Sequence, residues 1–359
     1  MPDNPARRHR IRLGAEVAPN KLDALLVSSL PNIRYLTGFT GSNGMLLAMP
    51  DRAVFFTDPR YEIQAAREVD CPVRVCKGPL IPKVVAALGR YHVRRLGFEK
   101  ARLSFEAYEH LKRSLPLGVS LHPLGPLVET HRMVKSEDEI ERIRRSVLLN
   151  SRAFEEVLPC IRPGMREGEV AAELEYRMRL LGAEKPSFDT IVAAGARSAL
   201  PHAQAGPERL QAGLTLIDMG AMLGGYASDM TRVLHLGRAS RKVRELYQAV
   251  LESQLAAVDA VRPGVSGHSV DRAARQVLKA RGLDKAFVHS TGHGLGLEIH
   301  EPPRIGRKEK TTLEPGMTIT IEPGAYLGGF GGVRIEDTVL VTTTGHEVLT
   351  PTPKELREL

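Results

Sequence analysis

The chain has no tryptophan, and aromatic residues make up only 5% of its 359 positions. Surfaces that stack nucleic-acid bases are built from aromatic side chains, so this scarcity argues against nucleic acid as a partner. No apolar run approaches the roughly 18 residues of a membrane-spanning helix, and the arginines near the start are not followed by the apolar segment of a signal peptide. We therefore expect a cytoplasmic protein that binds neither nucleic acid nor a membrane.

Cysteine is also scarce, with Cys71, Cys76 and Cys160 as the only three. Their spacing fits neither a structural zinc site nor a disulfide framework, which agrees with a reducing compartment. The net charge is +8, but lysine and arginine alternate with aspartate and glutamate through most of the chain. This mixture is typical of an ordinary solvated surface.

The length favours two domains, and the patterns differ on the two sides of residue 130. Before it, apolar runs at 23–29, 45–50 and 53–58 read as strands and alternate with helical patterns. This alternation predicts a small α/β domain over residues 1–130. After a connection, Ser136 and Glu139 form a capping box that begins a helix and a second domain, 136–359.

The second domain contains an internal repeat. The segment IRPGMREGEV (161–170) returns as VRPGVSGHSV (261–270), and each copy lies between two amphipathic helical patterns. Each copy leads to a predicted strand, Thr190–Ala194 or Phe287–Ser290, and then to a hairpin. We expect two similar units packed about a pseudo-two-fold axis.

Five ionisable residues lie in apolar, strand-like stretches of this repeat: Asp218, Asp229, His293, Glu322 and Glu336. A buried carboxylate costs several kcal/mol unless it is paired or binds a metal. The first hairpin carries the two aspartates and the second carries the two glutamates, so the pairs are expected to meet at the axis. Four carboxylates with one imidazole require strong positive charge, which two divalent cations would supply.

The motifs around these residues carry a family resemblance. The stretches IDMGAMLGGYASDMTR, HSTGHGLGLEIHEPP, TIEPG and VRIED resemble the pita-bread metallopeptidase family, M24. The stretches NIRYLTGFTGSNG and TDPRYEIQA are similar to the creatinase-type domain that precedes the catalytic domain in the proline-specific branch, prolidase and aminopeptidase P. The resemblance implies an α/β creatinase-like domain followed by a pseudo-two-fold α+β pita-bread domain.

The resemblance also implies roles for the five ligands. Asp218 would chelate one metal, His293 and Glu322 the other, and Asp229 and Glu336 would bridge them. Carboxylate oxygens with a single imidazole suit Mn²⁺, with Co²⁺ or Zn²⁺ as alternatives. Two such metals would supply an activated hydroxide for attack on the scissile carbonyl and would polarise that carbonyl.

Further site residues follow from the same resemblance. Glu322 would be the general acid and base, and His300 and His202 would be the catalytic and substrate-binding histidines. Arg334 would orient a ligand or bind substrate, and Arg304 would bind the substrate carboxylate, with a surface salt bridge as its alternative. The His289 side chain either faces the substrate or packs against a strand.

The implied substrates are small peptides with proline at the second position, and the family suggests a homodimer. Whether dipeptides or longer peptides are cleaved is left open, although Arg304 favours dipeptides. Three alternatives remain: a methionine aminopeptidase, a metal-free creatinase-like enzyme and a non-catalytic binding relative. The additional first domain argues against the first alternative, and the five intact ligands argue against the other two.

Overall fold

The computed structural model describes residues 4–359, which divide into two compact units between Arg132 and Met133. The helices up to this division are α1 (Pro5–Val17), α2 (Leu30–Thr37), α3 (Glu62–Glu68), α4 (Leu80–Leu88), α5 (Phe105–Ser114) and α6 (Leu127–Met133). The strands are β1 (Ala24–Val27), β2 (Gly44–Ala48), β3 (Ala53–Thr57), β4 (Val73–Val75), β5 (Arg95–Glu99) and β6 (Ser120–Leu124).

The first unit is built on one six-stranded sheet in the order β4-β3-β2-β1-β5-β6. Its centre is antiparallel from β1 to β3, and its edges pair in parallel. Strands β1 and β3 are buried along their whole length, since apolar residues occupy both faces. The three predicted strands and the small α/β unit are confirmed.

The second unit contains four α-helices and fourteen strands among the described residues, besides short 3-10 turns such as Gly195–Ala199. The helices are α7 (Glu137–Val157), α8 (Glu167–Leu180), α9 (Arg241–Asp259) and α10 (Gly267–Ala280). The strands are β7 (Lys185–Pro186), β8 (Ile191–Ala194), β9 (Gly213–Met219), β10 (Ala221–Leu223), β11 (Tyr226–Ala227), β12 (Met230–Leu236), β13 (Gly292–Gly294), β14 (Glu301–Ile305), β15 (Thr318–Ile321), β16 (Gly324–Leu327), β17 (Gly331–Arg334), β18 (Asp337–Val341), β19 (His346–Val348) and β20 (Arg357–Glu358).

These elements form two similar halves, as the repeat predicts. The first half pairs α7 with α8 and has the sheet order β20-β12-β9-β8, and the second pairs α9 with α10 and has the order β14-β13-β15-β18-β19. Strands β9 and β12 form the first predicted hairpin, and β15 and β18 form the second. The short pairs β10–β11 and β16–β17 extend the ends of these hairpins.

The predicted helix start at Ser136 is confirmed. The Glu139 carboxylate accepts the Ser136 backbone N–H at 2.9 Å, so α7 begins with a satisfied amide. Ile143, Val147 and Phe154 lie fully buried on the inner side of this helix. The capping box and the apolar face together fix where α7 starts and which side packs inward.

One predicted strand is wrong. Residues Phe287–Ser290 form no strand, and the second half instead places β13 at Gly292–Gly294. The guanidinium of Arg275 donates hydrogen bonds to the carbonyl oxygens of Phe287 and His289. A side chain thus occupies acceptors that a neighbouring strand would use. Across residues 4–359, none of the helices combines the length and the apolar character needed to cross a bilayer.

Candidate metal centre and active site

Each predicted metal ligand lies at or beside the end of a strand near the middle of the second unit. Asp218 is in β9, Asp229 directly precedes β12, and His293 is the central residue of β13. Glu322 directly follows β15, and Glu336 directly precedes β18. Because hairpin ends from both halves meet here, residues more than a hundred positions apart become neighbours.

Ligand atoms of Asp229, His293 and Glu336 all lie within 4.8 Å of one another. The His293 Nε2 atom is 3.6 Å from Asp229 Oδ2 and 3.4 Å from Glu322 Oε1. These distances exceed hydrogen-bond contact but fit donor atoms arranged around a common centre. The structure therefore brings four of the five predicted ligands together directly.

Asp218 joins the cluster through Arg334. The Arg334 Nη2 atom donates to Asp218 Oδ2 at 2.6 Å, and Arg334 Nε donates to Thr231 Oγ1 at 3.0 Å. Thr231 in turn donates to Glu336 Oε2 at 2.7 Å. A single buried guanidinium thus ties a carboxylate of the first half to a carboxylate of the second.

Two glycines allow His293 to reach this position. A Cβ atom at Gly292 would lie 1.9 Å from the Thr320 carbonyl oxygen, and one at Gly294 would lie 2.4 Å from the Pro302 carbonyl oxygen. Neither clash can be relieved by a side-chain rotation, because both contacts are with backbone. The flanking glycines therefore let β13 fit closely between β14 and β15.

Burial and like charge dominate the electrostatics of the cluster. Burial raises the pKa of Asp229 and of Glu336 well above the usual carboxyl range, and the neighbouring carboxylates raise both further. Burial likewise raises the pKa of Glu322 to about 7, against the opposing effect of Arg334. Burial lowers the pKa of His293, which favours the neutral imidazole that binds metals.

The residues fit divalent cations. Among the described residues, Asp218 Oδ1 is buried without a hydrogen-bond partner, which is costly for a carboxylate oxygen. Closely spaced carboxylates repel each other unless protons or cations intervene. Hard oxygen donors with one imidazole match Mn²⁺, Co²⁺ or Zn²⁺ by chemistry. Metal ions would satisfy the orphaned oxygen and remove the repulsion together.

The cluster lines the floor of a cleft of about 1230 Å³, which also contains the other predicted site residues. His202 is exposed on the loop after the short helix Gly195–Ala199, and His300 is exposed before β14. The ring centroids of His293 and His300 lie 4.4 Å apart in an edge-to-face arrangement. His202 and His300 are thus the exposed imidazoles of the cleft in the described chain.

His289 and Arg334 take part in a partly buried hydrogen-bond chain that includes Tyr326. The Tyr326 hydroxyl accepts from Arg334 Nη1 at 2.8 Å and contacts His289 Nε2 at 2.8 Å. The other ring nitrogen of His289 contacts the Ser290 carbonyl oxygen at 2.7 Å. Burial lowers the pKa of His289 to about 4, so the ring is neutral. Both ring nitrogens have partners, the Ser290 carbonyl oxygen and the Tyr326 hydroxyl.

Arg304 lies at the exposed edge of the cleft. In β14 it pairs in register with His293 of β13, so the two side chains share one face of the sheet. Its Nε atom donates to Ser290 Oγ at 2.6 Å. This position brings a cation beside the predicted metal ligands without burying it among them.

Sequence reasoning missed two residues that build the site. Tyr326 is not among the residues predicted for the site, yet it lies beside them and pairs with Gly332 in a hairpin. A Cβ atom at Gly332 would lie 2.6 Å from the Tyr326 ring, so an aromatic residue opposite a glycine was the available signal. Thr231 gave no signal, because its contacts with Arg334 and Glu336 form only in the tertiary structure.

Two family models account for this architecture. Residues 141–343 match metallopeptidase family M24, and residues 10–134 match the creatinase/prolidase N-terminal domain. The chain belongs to metallopeptidase family M24 and is a hydrolase. The predicted fold class, a creatinase-like domain followed by a pita-bread domain, is confirmed.

Named relatives agree with this family. The chain is 39% identical to the "Xaa-Pro dipeptidase" of Pyrococcus furiosus, over 94% of this chain and 96% of that protein. The solved structure "Xaa-Pro dipeptidase from Bacillus anthracis" matches with a TM-score of 0.96 at 40% identity, covering 99% and 100% of the two chains. The "X-Pro aminopeptidase from Thermotoga maritima" matches with a TM-score of 0.88 at 37% identity, covering 94% and 98%.

Proposed function

We propose that this chain hydrolyses the bond between a first residue and proline, in dipeptides and at the N-terminus of short peptides. The observation that supports it most is the buried convergence of Asp229, His293 and Glu336 at the floor of a cleft. Similarity to proteins named Xaa-Pro dipeptidase supplies the substrate class. Proline removes the amide hydrogen and fixes φ, so its bond requires a shaped site.

Two divalent ions, Mn²⁺ with Co²⁺ or Zn²⁺ as alternatives, would be held by the five predicted ligands. Asp218 would bind one ion, His293 and Glu322 the other, and Asp229 and Glu336 both. When bound, the ions would activate the attacking water and polarise the scissile carbonyl. The buried carboxylates and the neutral imidazole support this assignment by their chemistry.

Glu322 would take the proton of the attacking water and deliver it to the leaving nitrogen. Burial raises its pKa to about 7 in the metal-free chain, and a carboxyl group at the attacking water is a common proton carrier. Thr320 Oγ1 donates to Glu322 Oε1 at 3.4 Å and steadies the carboxylate. We expect Glu322→Gln to lower kcat by about 10²- to 10⁴-fold, the usual contribution of a general acid or base.

The remaining residues would hold the substrate. His300 and His202, both exposed in the cleft, would donate hydrogen bonds to the peptide and to the negative oxygen formed at the scissile carbonyl. His289 would line the proline side, with its ring fixed by Tyr326 and Ser290. Arg304 would bind the substrate carboxylate. Arg334 is only 2% exposed, which favours the orientation of Asp218 over contact with substrate.

The test is hydrolysis of an Xaa-Pro dipeptide beside an Xaa-Pro-Xaa tripeptide, each with and without added Mn²⁺. Mn²⁺-dependent cleavage of either substrate supports the proposal, and the ratio of the two rates assigns dipeptidase or aminopeptidase character. Failure to cleave both with every candidate metal would contradict it. A methionine-initiated peptide without proline serves as the control for methionine aminopeptidase activity.

Three further features stay predictions from the sequence. They are the homodimer, the cytoplasmic location and the domain limits 1–130 and 136–359. Cross-linking and sedimentation of the purified chain would test the first, and limited proteolysis near residue 133 would test the last.

A further inference from the structure

A second cavity of about 560 Å³ adjoins the main cleft. The two cavities share the residues His289, Ser290, Arg304 and Glu309 in their walls. The second cavity therefore adjoins the main cleft along these four residues. We call this cavity the basic pocket, because it is lined by Arg275, Arg304, Arg307 and Lys308 against the single carboxylate of Glu309.

The side chains of two of these cationic residues have no bonding partner among the described residues. Within residues 4–359, Arg307 and Lys308 have neither a hydrogen bond nor an ion pair through their side chains, and both are exposed. Arg275 differs, because its Nε donates to Asp271 at 2.7 Å and it also binds backbone carbonyls. The Glu309 carboxylate accepts from the backbone N–H of Thr311 at 2.8 Å. Positive charge therefore remains available at the mouth of the pocket.

The pocket has a fixed wall and an apolar side. Glu309 N–H donates to the Gly306 carbonyl oxygen at 3.1 Å, which closes the turn that carries Arg307 and Lys308. A Cβ atom at Gly267 would lie 2.7 Å from the Arg304 carbonyl oxygen, so α10 begins in direct contact with β14. Val288 is 68% exposed and supplies an unpartnered apolar surface beside these cations.

The short chain between Arg304 and Lys308 limits how far the free cations can lie from the proposed metal centre. Two residues of extended peptide span about 7 Å, and the three-residue step from Arg304 to Arg307 spans at most about 10 Å. Arg304 lies beside His293 across the sheet, so the turn begins next to the proposed metal centre. The carboxylate of a third peptide residue would therefore meet the long side chains of Arg307 and Lys308.

We propose that the basic pocket binds the free carboxylate of a residue that follows proline, with Val288 contacting an apolar side chain of that residue. This inference rests on the proposed function and assigns, within its substrate class, a binding site for the C-terminal carboxylate of Xaa-Pro-Yaa tripeptides. Arg307 and Lys308 determine this specificity and take no part in the cleavage itself.

The test compares wild type with the double variant Arg307→Ala/Lys308→Ala on three substrates: Ala-Pro, Ala-Pro-Val with a free carboxylate and Ala-Pro-Val amide. We expect the KM for the acid tripeptide to rise about 3- to 30-fold at low salt, since two exposed ion pairs are lost. Values for the dipeptide and the amide should not change. The matched control Arg262→Ala/Lys279→Ala removes the same charge from exposed positions outside both cavities.

An unchanged KM for the acid tripeptide overturns the inference, as does an equal rise for the dipeptide or in the control. Direct calorimetric binding of Pro-Val acid and Pro-Val amide separates this inference from the proposed function. If no Xaa-Pro substrate is cleaved, preferential binding of the acid that the double variant loses still supports the pocket. Equal binding of acid and amide to wild type would overturn it.

Discussion

The two halves of the second unit share a scaffold but not a chemistry. Gly164 of the first half and Gly264 of the second both have positive φ, at 92° and 84°. Their backbone N–H groups donate to Leu210 and Leu313 at 2.8 and 2.9 Å. The turn that opens α8 thus has the same conformation and the same kind of partner as the turn that opens α10.

The contributions to the site differ. The first half supplies Asp218, Asp229 and the loop histidine His202. The second supplies Glu322, Glu336 and a proposed imidazole ligand, His293, which lies between two glycines. The first-half counterpart of strand β13 is β8, which carries no ionisable residue. A repeated fold therefore fixes where strand ends meet. Both halves bring two carboxylates to this point, and local side-chain differences add a neutral donor from the second half only.

The two halves are also similar in how each positions a histidine of the cleft, His202 in the first half and His289 in the second. In the first half, the buried Glu167 carboxylate accepts the Ala194 N–H at 2.9 Å and the Arg197 Nε at 3.1 Å, and it contacts the Gly206 N–H at 3.3 Å. These contacts join both ends of the loop that carries His202.

In the second half, Asp271 accepts from Arg275 at 2.7 Å and from Thr291 Oγ1 at 2.8 Å. Arg275 binds the carbonyl oxygen of His289. Each half therefore uses a buried acid on its second helix, paired with an arginine, to hold a histidine-bearing segment. Only the acid of the second half also contacts a residue next to the strand of a proposed ligand. That residue is Thr291, which directly precedes β13 and His293.

The strongest test of the comparison removes one proposed bridging ligand from each half. We expect Asp229→Ala and Glu336→Ala to lower kcat by at least about 10²- to 10³-fold, the loss seen when one transition-state-stabilising group is removed. Both should bind fewer than two Mn²⁺ per chain by elemental analysis. Full turnover by either variant would contradict the two-metal site, and circular dichroism controls for folding.

The two acid–arginine pairs should separate metal binding from substrate binding. Glu167→Gln is expected to lower kcat/KM by up to about 10²-fold with unchanged Mn²⁺ affinity, because it misplaces the His202 loop alone. Asp271→Asn should also weaken Mn²⁺ binding, since Thr291 precedes β13. Mn²⁺ titration beside steady-state kinetics distinguishes them. Equal effects of the two substitutions on metal affinity would show that the two acids do not differ in their influence on the metal site.

A matched control is available for the first pair. Glu208 lies 3.6 Å from Arg197 and is more exposed than Glu167. We expect Glu208→Gln to leave both kinetics and metal affinity close to wild type, because an exposed ion pair contributes little.

Metal removal should destabilise the chain more at high pH than at low pH. In the metal-free chain, the pKa values of Asp229 and Glu336 are raised and that of Glu322 is about 7. A raised folded-state pKa stabilises the fold at low pH, and this stability is lost as pH rises from about 4.5 through 7. The rise in Tm on adding Mn²⁺ to protein treated with chelator should therefore be larger at pH 8 than at pH 5.5. An equal rise at both values would contradict this account.

The smallest expected effect concerns the helix starts of the two repeats. The Ser266 hydroxyl accepts the Ser269 N–H at 3.3 Å at the start of α10, whereas Arg166 stands at the equivalent position before α8. We expect Ser266→Ala to lower the free energy of unfolding by about 1 kcal/mol, and Arg166→Ser to raise it by a similar or smaller amount. Urea unfolding of both variants measures the difference, and equal signs would show that the two starts are not equivalent.

Much of this architecture could be predicted from local sequence patterns. The strands of the first unit, the capping box at Ser136 and the repeated segment all depend on neighbours within a few residues. The wrong strand at Phe287–Ser290 shows the limit, because the competing hydrogen bonds come from Arg275 on a helix. Tyr326 was missed for the same reason, since its partners His289 and Arg334 lie on other segments of the chain.

The sequence by itself determined the family, the two similar halves and the five candidate ligands, because ionised residues in apolar strands and repeated turns are visible without coordinates. Only the tertiary structure decided that Arg334 holds Asp218, that Glu167 and Asp271 hold equivalent segments and that a basic pocket opens beside the cleft. Such contacts join residues up to more than a hundred positions apart, and their geometry depends on how sheets and helices pack. No local pattern encodes that packing.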